Sequence, residues 1–179
     1  MKRMKKNLML RVILLIGLLG MGSICGCGYG FRGTVNNLPP DIKAVHVPVF
    51  VNNTTEGGVE VVFANALIYE FTRGGVIGVV PETDAQAIIF GRIKSATVDS
   101  VIYASQTQAV DRKVTVVLEV IFRRVDNKKI LWQNLDLIRY ENFRVGGDPN
   151  QSDRNREEAL RKISKDLAER IYSGILENF

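Results

Sequence analysis

A chain of 179 residues holds one ordinary domain and hardly two. Its formal net charge of +5 is unevenly placed: Lys2, Arg3, Lys5, Lys6 and Arg11 precede residue 12, no Asp or Glu occurs before Asp41, and 24 basic residues less these five leave 19 basic against 19 acidic. So nearly neutral a remainder, with no basic helix, aromatic–basic stacking platform or zinc-finger spacing, argues against nucleic acid as a partner.

In chain order, Met1 to Arg11 is positively charged, Val12 to Met21 is an apolar run, and small residues close it. These are the three parts of an export signal over residues 1–26. The run is shorter than the ~20 apolar residues that a spanning helix needs. Ile24-Cys25-Gly26-Cys27 resembles the bacterial lipobox: an aliphatic residue, two small residues, then the cysteine that takes lipid. Cys25 is the poorer acceptor, because bulky Ile24 would sit just before the cut. Cleavage before Cys27 discards Cys25 and leaves a lone cysteine in an oxidising compartment, which lipid attachment explains. Each buried methylene contributes roughly 0.8 kcal/mol, so a multiply acylated Cys27 anchors the chain to a membrane. Gly28 follows, not the Asp that commonly holds such proteins at the inner membrane. By resemblance to sorted lipoproteins, the address is the periplasmic side of the outer membrane. Residues 27–43, with Gly28, Gly30, Gly33 and Pro39-Pro40, read as the lipidated N-terminus and a tether, and 44–179 as a single periplasmic domain.

Ala44 to Phe50 reads as a strand, with Pro48 marking a sheet edge or the strand's end. After an Asn/Thr/Gly loop, Val59, Val62, Phe63, Ala66, Leu67 and Phe71 repeat at helical spacing, with Glu60 and Glu70 off that stripe. Gly74-Gly75 ends the helix. Val76 to Val80 is a short strand, and Ala85 to Tyr103 a long or bent one with Gly91 as its bulge. Val114 to Arg123 is the clearest strand, alternating Val114, Val116, Leu118, Val120 and Phe122 with a more polar face. Asp126 to Lys129 is a hairpin turn, and Ile130 to Phe143 returns beside it. A helix capped by Ser152 follows, with Leu160, Ile163, Leu167, Ile171 and Ile175 on one side. The order β-α-β-β-β-α predicts an α/β (α+β) two-layer sandwich, a mixed, mostly antiparallel four-stranded sheet with both helices on one face.

Catalytic and metal chemistry find no footing. His46 is the only histidine and lies within a strand. It has no second histidine or free mature thiol for a metal and no nucleophile-elbow pattern. No catalytic residue, no metal ligand and no cofactor beyond the lipid on Cys27 is expected. Trp132 reads as packing on the sheet. The hairpin predicts that Arg112 and Lys113 lie near Arg139 and Arg144, with Asp111 and Glu141 offsetting part of the charge. Arg grips phosphate in bidentate fashion and Lys as a point charge. The plainer reading of these four residues is a solvated strand end; the functional reading makes them candidates for an anionic ligand or lipid head group. Arg123, Arg124, Lys128 and Lys129 read as an ordinary charged turn.

Several segments together resemble the lipopolysaccharide-assembly lipoprotein family (LptE-like). They are Cys27-Gly28-Tyr29-Gly30-Phe31-Arg32-Gly33, Leu38-Pro39-Pro40, Val47-Pro48-Val49-Phe50-Val51-Asn52-Asn53-Thr54, Asp84-Ala85, Ile130-Leu131-Trp132, and a last helix reaching Phe179. The resemblance implies a one-to-one partner and plug of the outer-membrane β-barrel that inserts lipopolysaccharide, assisting its assembly and able to bind lipopolysaccharide. The family's basic contact loop is not matched, since the turn after Tyr103 reads Ala104-Ser105-Gln106-Thr107. The alternative is an outer-membrane lipoprotein that activates a periplasmic cell-wall enzyme or forms a secretion-pore ring. A lipid-anchored enzyme is a further, weaker alternative.

Overall fold

The computed structural model describes residues 38–101 and 111–177. The export signal, Cys27, most of the tether, the Ala104–Thr107 turn and Phe179 lie outside them.

The first strand is interrupted. Pro48 has no N–H to give a ladder, so β1 (Ala44–His46) stops before it and β2 (Val51–Asn52) resumes after it. Both run parallel to β4 (Ala87–Val101), with Val45 opposite Ala87 and Val51 opposite Arg92. The chain takes one residue more than β4 across the gap, and Phe50 turns inward there to become buried. β3 (Gly78–Val79) lies parallel on the outside of β1, so β1 is covered and the sheet is bordered on that side by β3 and β2. A single 3-10 turn, Glu82–Asp84, leads into β4. β5 (Asp111–Arg124) and β6 (Ile130–Arg144) continue antiparallel. The sheet thus has six strands rather than four: Pro48 divides one, and the Val76–Val80 segment contributes its own.

The bulge in β4 falls at Lys94, between Ile93 and Ser95, and not at Gly91. Gly91 pairs regularly with Val120 and is glycine for another reason: a Cβ there would lie 2.3 Å from ring carbons of Phe50. β6 carries a second irregularity, where Leu118 faces Leu137 but Val120 faces Asn134, so Leu135 and Asp136 together oppose Glu119 alone and one residue is extra. Lys94 reaches across β5 to join the two bulges, Nζ lying 2.7 Å from the Asp136 carboxylate and 3.3 Å from Leu135 O.

Helix α1 (Val59–Gly74) starts at Gly58, whose φ of 82° suits only glycine readily, and ends where Gly75 N–H donates to Phe71 O at 3.1 Å. Asn52 shapes its approach, accepting from Thr54 N–H and donating to Glu60 and to Glu56 O. Glu70, expected off the apolar stripe, is only 2% exposed. Its charge is matched by Arg73 one turn later, Nη2 lying 2.7 Å from Oε2. Helix α2 (Pro149–Glu177) begins earlier than the sequence suggests. Pro149 fits its first position, and Asp148, not Ser152, caps it by accepting from Gln151 N–H at 2.9 Å. Ser152 instead accepts from Gly146 N–H.

Both helices cover the sheet face that carries Val114, Val116, Leu118, Val120 and Phe122, all of them buried. α1 lies toward the β1–β4 side and α2 along β5 and β6. Phe63, Leu67 and Phe71 from α1 meet Leu160, Ile163, Leu167, Ile171 and Ile175 from α2 in one core. Each such side chain contributes roughly 1.5–3 kcal/mol on burial. The α+β class and the one-sided helix layer follow from that single apolar face.

Candidate functional site: the open face of the sheet

The opposite sheet face has no layer over it among the described residues. Lys113, Thr115, Val117, Glu119, Ile121 and Arg123 project there from β5, each half-buried by its neighbours alone. Register adds Phe90 and Arg92 from β4, Val51 from β2, and Ile138 and Tyr140 from β6. Ile138 and Tyr140 are 55% and 57% exposed. The face is mixed rather than oily. Arg92 Nη1 lies 3.5 Å from the Glu119 carboxylate, Arg123 stacks 4.3 Å from the Phe90 ring centre, and Lys113 Nζ sits 5.6 Å from that of Tyr140. A shallow pocket of about 220 Å³ opens between Val51, Phe90, Arg92, Glu119 and Ile121.

The four candidate cations lie toward one end of the β5–β6 hairpin but divide between its faces. Lys113 and Arg144 belong to the open face by register, and Arg144 Nε lies 3.8 Å from Asp111. Arg112 pairs with Phe143 on the helix side, as adjacent strand residues must alternate. Arg139 also faces the helices and is held by the carboxylate of Asp166 on α2, so it does not join Lys113 and Arg144. Asn155 Nδ2 donates to Arg144 O at 2.8 Å, tying this end of the hairpin to α2.

The other end is a built clamp, not merely a charged turn. Arg124 holds both Asp41, from the segment before β1, and Asp126 in the turn. Its guanidinium keeps both carboxyls below the usual carboxylate range, and Arg124 itself is shifted up by the same two hydrogen bonds. Sequence separation hides this contact, because nothing local connects Asp41 with Arg124. His46 Nδ1 lies 3.1 Å from Val80 O, a strand-end hydrogen bond. Trp132 packs on α2, its indole so close to Gly174 that a Cβ there would lie 2.8 Å away. Among the described residues no group of His, Cys, Asp and Glu could hold a metal ion, and no helix is long and apolar enough to cross a membrane.

Among solved structures, the fold is similar to a candidate lipoprotein from Caulobacter crescentus, with TM-score 0.51 and 6% identity over 71% of this chain and 83% of that one. It is also similar to the hypothetical protein CT253 from Chlamydia trachomatis, with TM-score 0.51 and 6% identity over 75% and 98%. A minor lipoprotein from Acinetobacter baumannii gives TM-score 0.48 and 15% identity over 78% and 95%. At such identities the likeness is one of fold. A comparison with curated protein sequences gave no match. The LptE family model, described as lipopolysaccharide-assembly, matches residues 42–175, from the segment ahead of β1 to the last turns of α2. With the match spanning the whole two-layer domain, the chain belongs to the LptE lipopolysaccharide-assembly family.

Proposed function

We propose that this chain is an outer-membrane lipoprotein, anchored on the periplasmic side by lipid on Cys27. In this reading it partners and plugs, one to one, the β-barrel that inserts lipopolysaccharide into the outer leaflet, and assists that barrel's assembly. The family match over residues 42–175 carries the reading. The open sheet face supports it physically. The interior of a large outer-membrane barrel is polar, and a surface of paired charges with scattered apolar side chains can meet such a wall without stranding an unpaired charge. The role is one of binding and assembly, not catalysis.

Contact with lipopolysaccharide phosphates belongs to the same proposal. Lys113 and Arg144 on the open face, with Arg112 at the same end, would supply the cations, and Arg139 is committed to Asp166. The test is co-purification. The native lipoprotein, drawn from detergent-solubilised outer membranes, is expected to bring one large β-barrel with it. Recovery with a cell-wall synthase, or alone as a large ring, would favour the alternative class.

A further inference from the structure

The shallow pocket on the open face is built from neighbouring rows of the sheet. Phe90 of β4 lies opposite Ile121 of β5, and Arg92 opposite Glu119, so an apolar floor adjoins a pair of charges. Val51 of β2 stands beside Arg92 on the border side and is 53% exposed. Arg123 completes the lining. Sequence alone groups Arg123 with the charged turn, but the fold brings its guanidinium over the Phe90 ring, 4.3 Å from the ring centre. The charges of this pocket do not balance. Two guanidiniums meet one carboxylate, and that carboxylate, Glu119, lies 3.5 Å from Arg92. Among the described residues Arg123 forms no ion pair. Stacking occupies the flat face of a guanidinium and leaves free the N–H groups around its edge. Those groups form a fork that fits a carboxylate in bidentate fashion. An unpaired charge is costly to enclose, so a partner that covers this face must bring an acceptor to Arg123.

We propose that this pocket receives one acidic side chain from the inner wall of the partner barrel, its carboxylate held by Arg123 and its methylenes lying against Phe90, Ile121 and Val51. The inference rests on the barrel partnership proposed above and adds the contact that fixes how the sheet sits against the wall. A pocket of about 220 Å³ is room for a side chain rather than for a strand or helix. The polar lumen of a large barrel can supply such an acid. An arginine braced on an aromatic ring is the kind of anchor in which binding energy concentrates, and the apolar floor keeps water from the charge pair. The new carboxylate leaves Glu119 with Arg92 and brings the pocket to neutrality.

Capture of the full lipoprotein from detergent-solubilised outer membranes tests the contact. The barrel recovered per lipoprotein is expected to fall about tenfold or more for Arg123→Glu, as loss of an enclosed charge pair implies. Arg123→Lys keeps the charge but not the fork, and its recovery should lie between. Arg161→Glu makes the same change of charge on the exposed side of α2 and should leave recovery unaltered. The photoreactive amino acid p-benzoylphenylalanine in place of exposed Val51 leaves Arg123 intact, and is expected to cross-link a barrel peptide that contains Asp or Glu. Replacing that acid by Lys should restore recovery to Arg123→Glu, a rescue that a merely structural Arg123 would not give. Full recovery with Arg123→Glu would overturn the proposal and leave the partnership standing. A cross-link from position 51 to lipopolysaccharide instead of protein would also overturn it, since a phosphate would then occupy the site. Absence of any barrel with the unaltered chain would remove the partnership and this contact together.

Discussion

Gly91 gives the sharpest handle on how this chain packs. A Cβ at that position would lie 2.3 Å from Phe50 ring carbons, and Phe50 is buried at the break in the first strand. Forcing a methyl group into a packed core costs about 1–3 kcal/mol. Gly in a strand is otherwise worse than Ala by about 0.5–1 kcal/mol. Gly91→Ala should therefore destabilise by roughly 0.5–2 kcal/mol, where an uncrowded strand glycine would gain stability on the same change. Phe50→Ala alone should cost about 3–5 kcal/mol. In the Phe50→Ala background the ring is gone, so Gly91→Ala should turn stabilising. The coupling between the two sites should be about 1–3 kcal/mol. Urea unfolding followed by the single tryptophan, Trp132, reads all four species. If Gly91→Ala raised the midpoint in the wild-type background, or had the same effect with and without Phe50, the explanation of Gly91 would be wrong.

Two further outcomes are expected. The Arg124 clamp holds the Asp41 and Asp126 carboxyls below their ordinary value of 3.8. For depressed carboxyls the added stability is present above that ordinary value and is lost as pH falls through the lowered one. Carboxyl NMR titration should thus show both groups ionising at lower pH than a free Asp, and Arg124→Ala should return both upward; unchanged titration in that variant would contradict the clamp. Metabolic palmitate labelling should disappear in Cys27→Ser, and label that persisted would move the anchor elsewhere.

Much of the architecture is legible in the sequence because β5 alternates without interruption and the two helices each carry one apolar stripe. Period-2 reading then identifies the covered face directly. The same reading loses phase in β6. There Trp132 faces the helices before the bulge, and the odd-numbered Leu137, Arg139, Glu141 and Phe143 face them after it. That shift hides Arg139 against Asp166 and makes the basic end of the hairpin look more concentrated than it is. The Lys94 bulge in β4 does likewise, moving the helix-side positions from Ile93 to Ala96. Glu70 defeats the helical pattern differently: a carboxylate is tolerated in the packed layer because Arg73 lies one turn away. Pro48 was readable as a limit on the ladder, but not that the strand would resume at Val51.

The central claim, partnership with one outer-membrane barrel, is tested most directly by the composition of the native complex. The lipoprotein should be captured from outer membranes in mild detergent and its companions weighed by quantitative mass spectrometry. One large β-barrel at near-equal molar amount is the result this account predicts. A cell-wall synthase in its place, or the lipoprotein alone in a large ring, would contradict it.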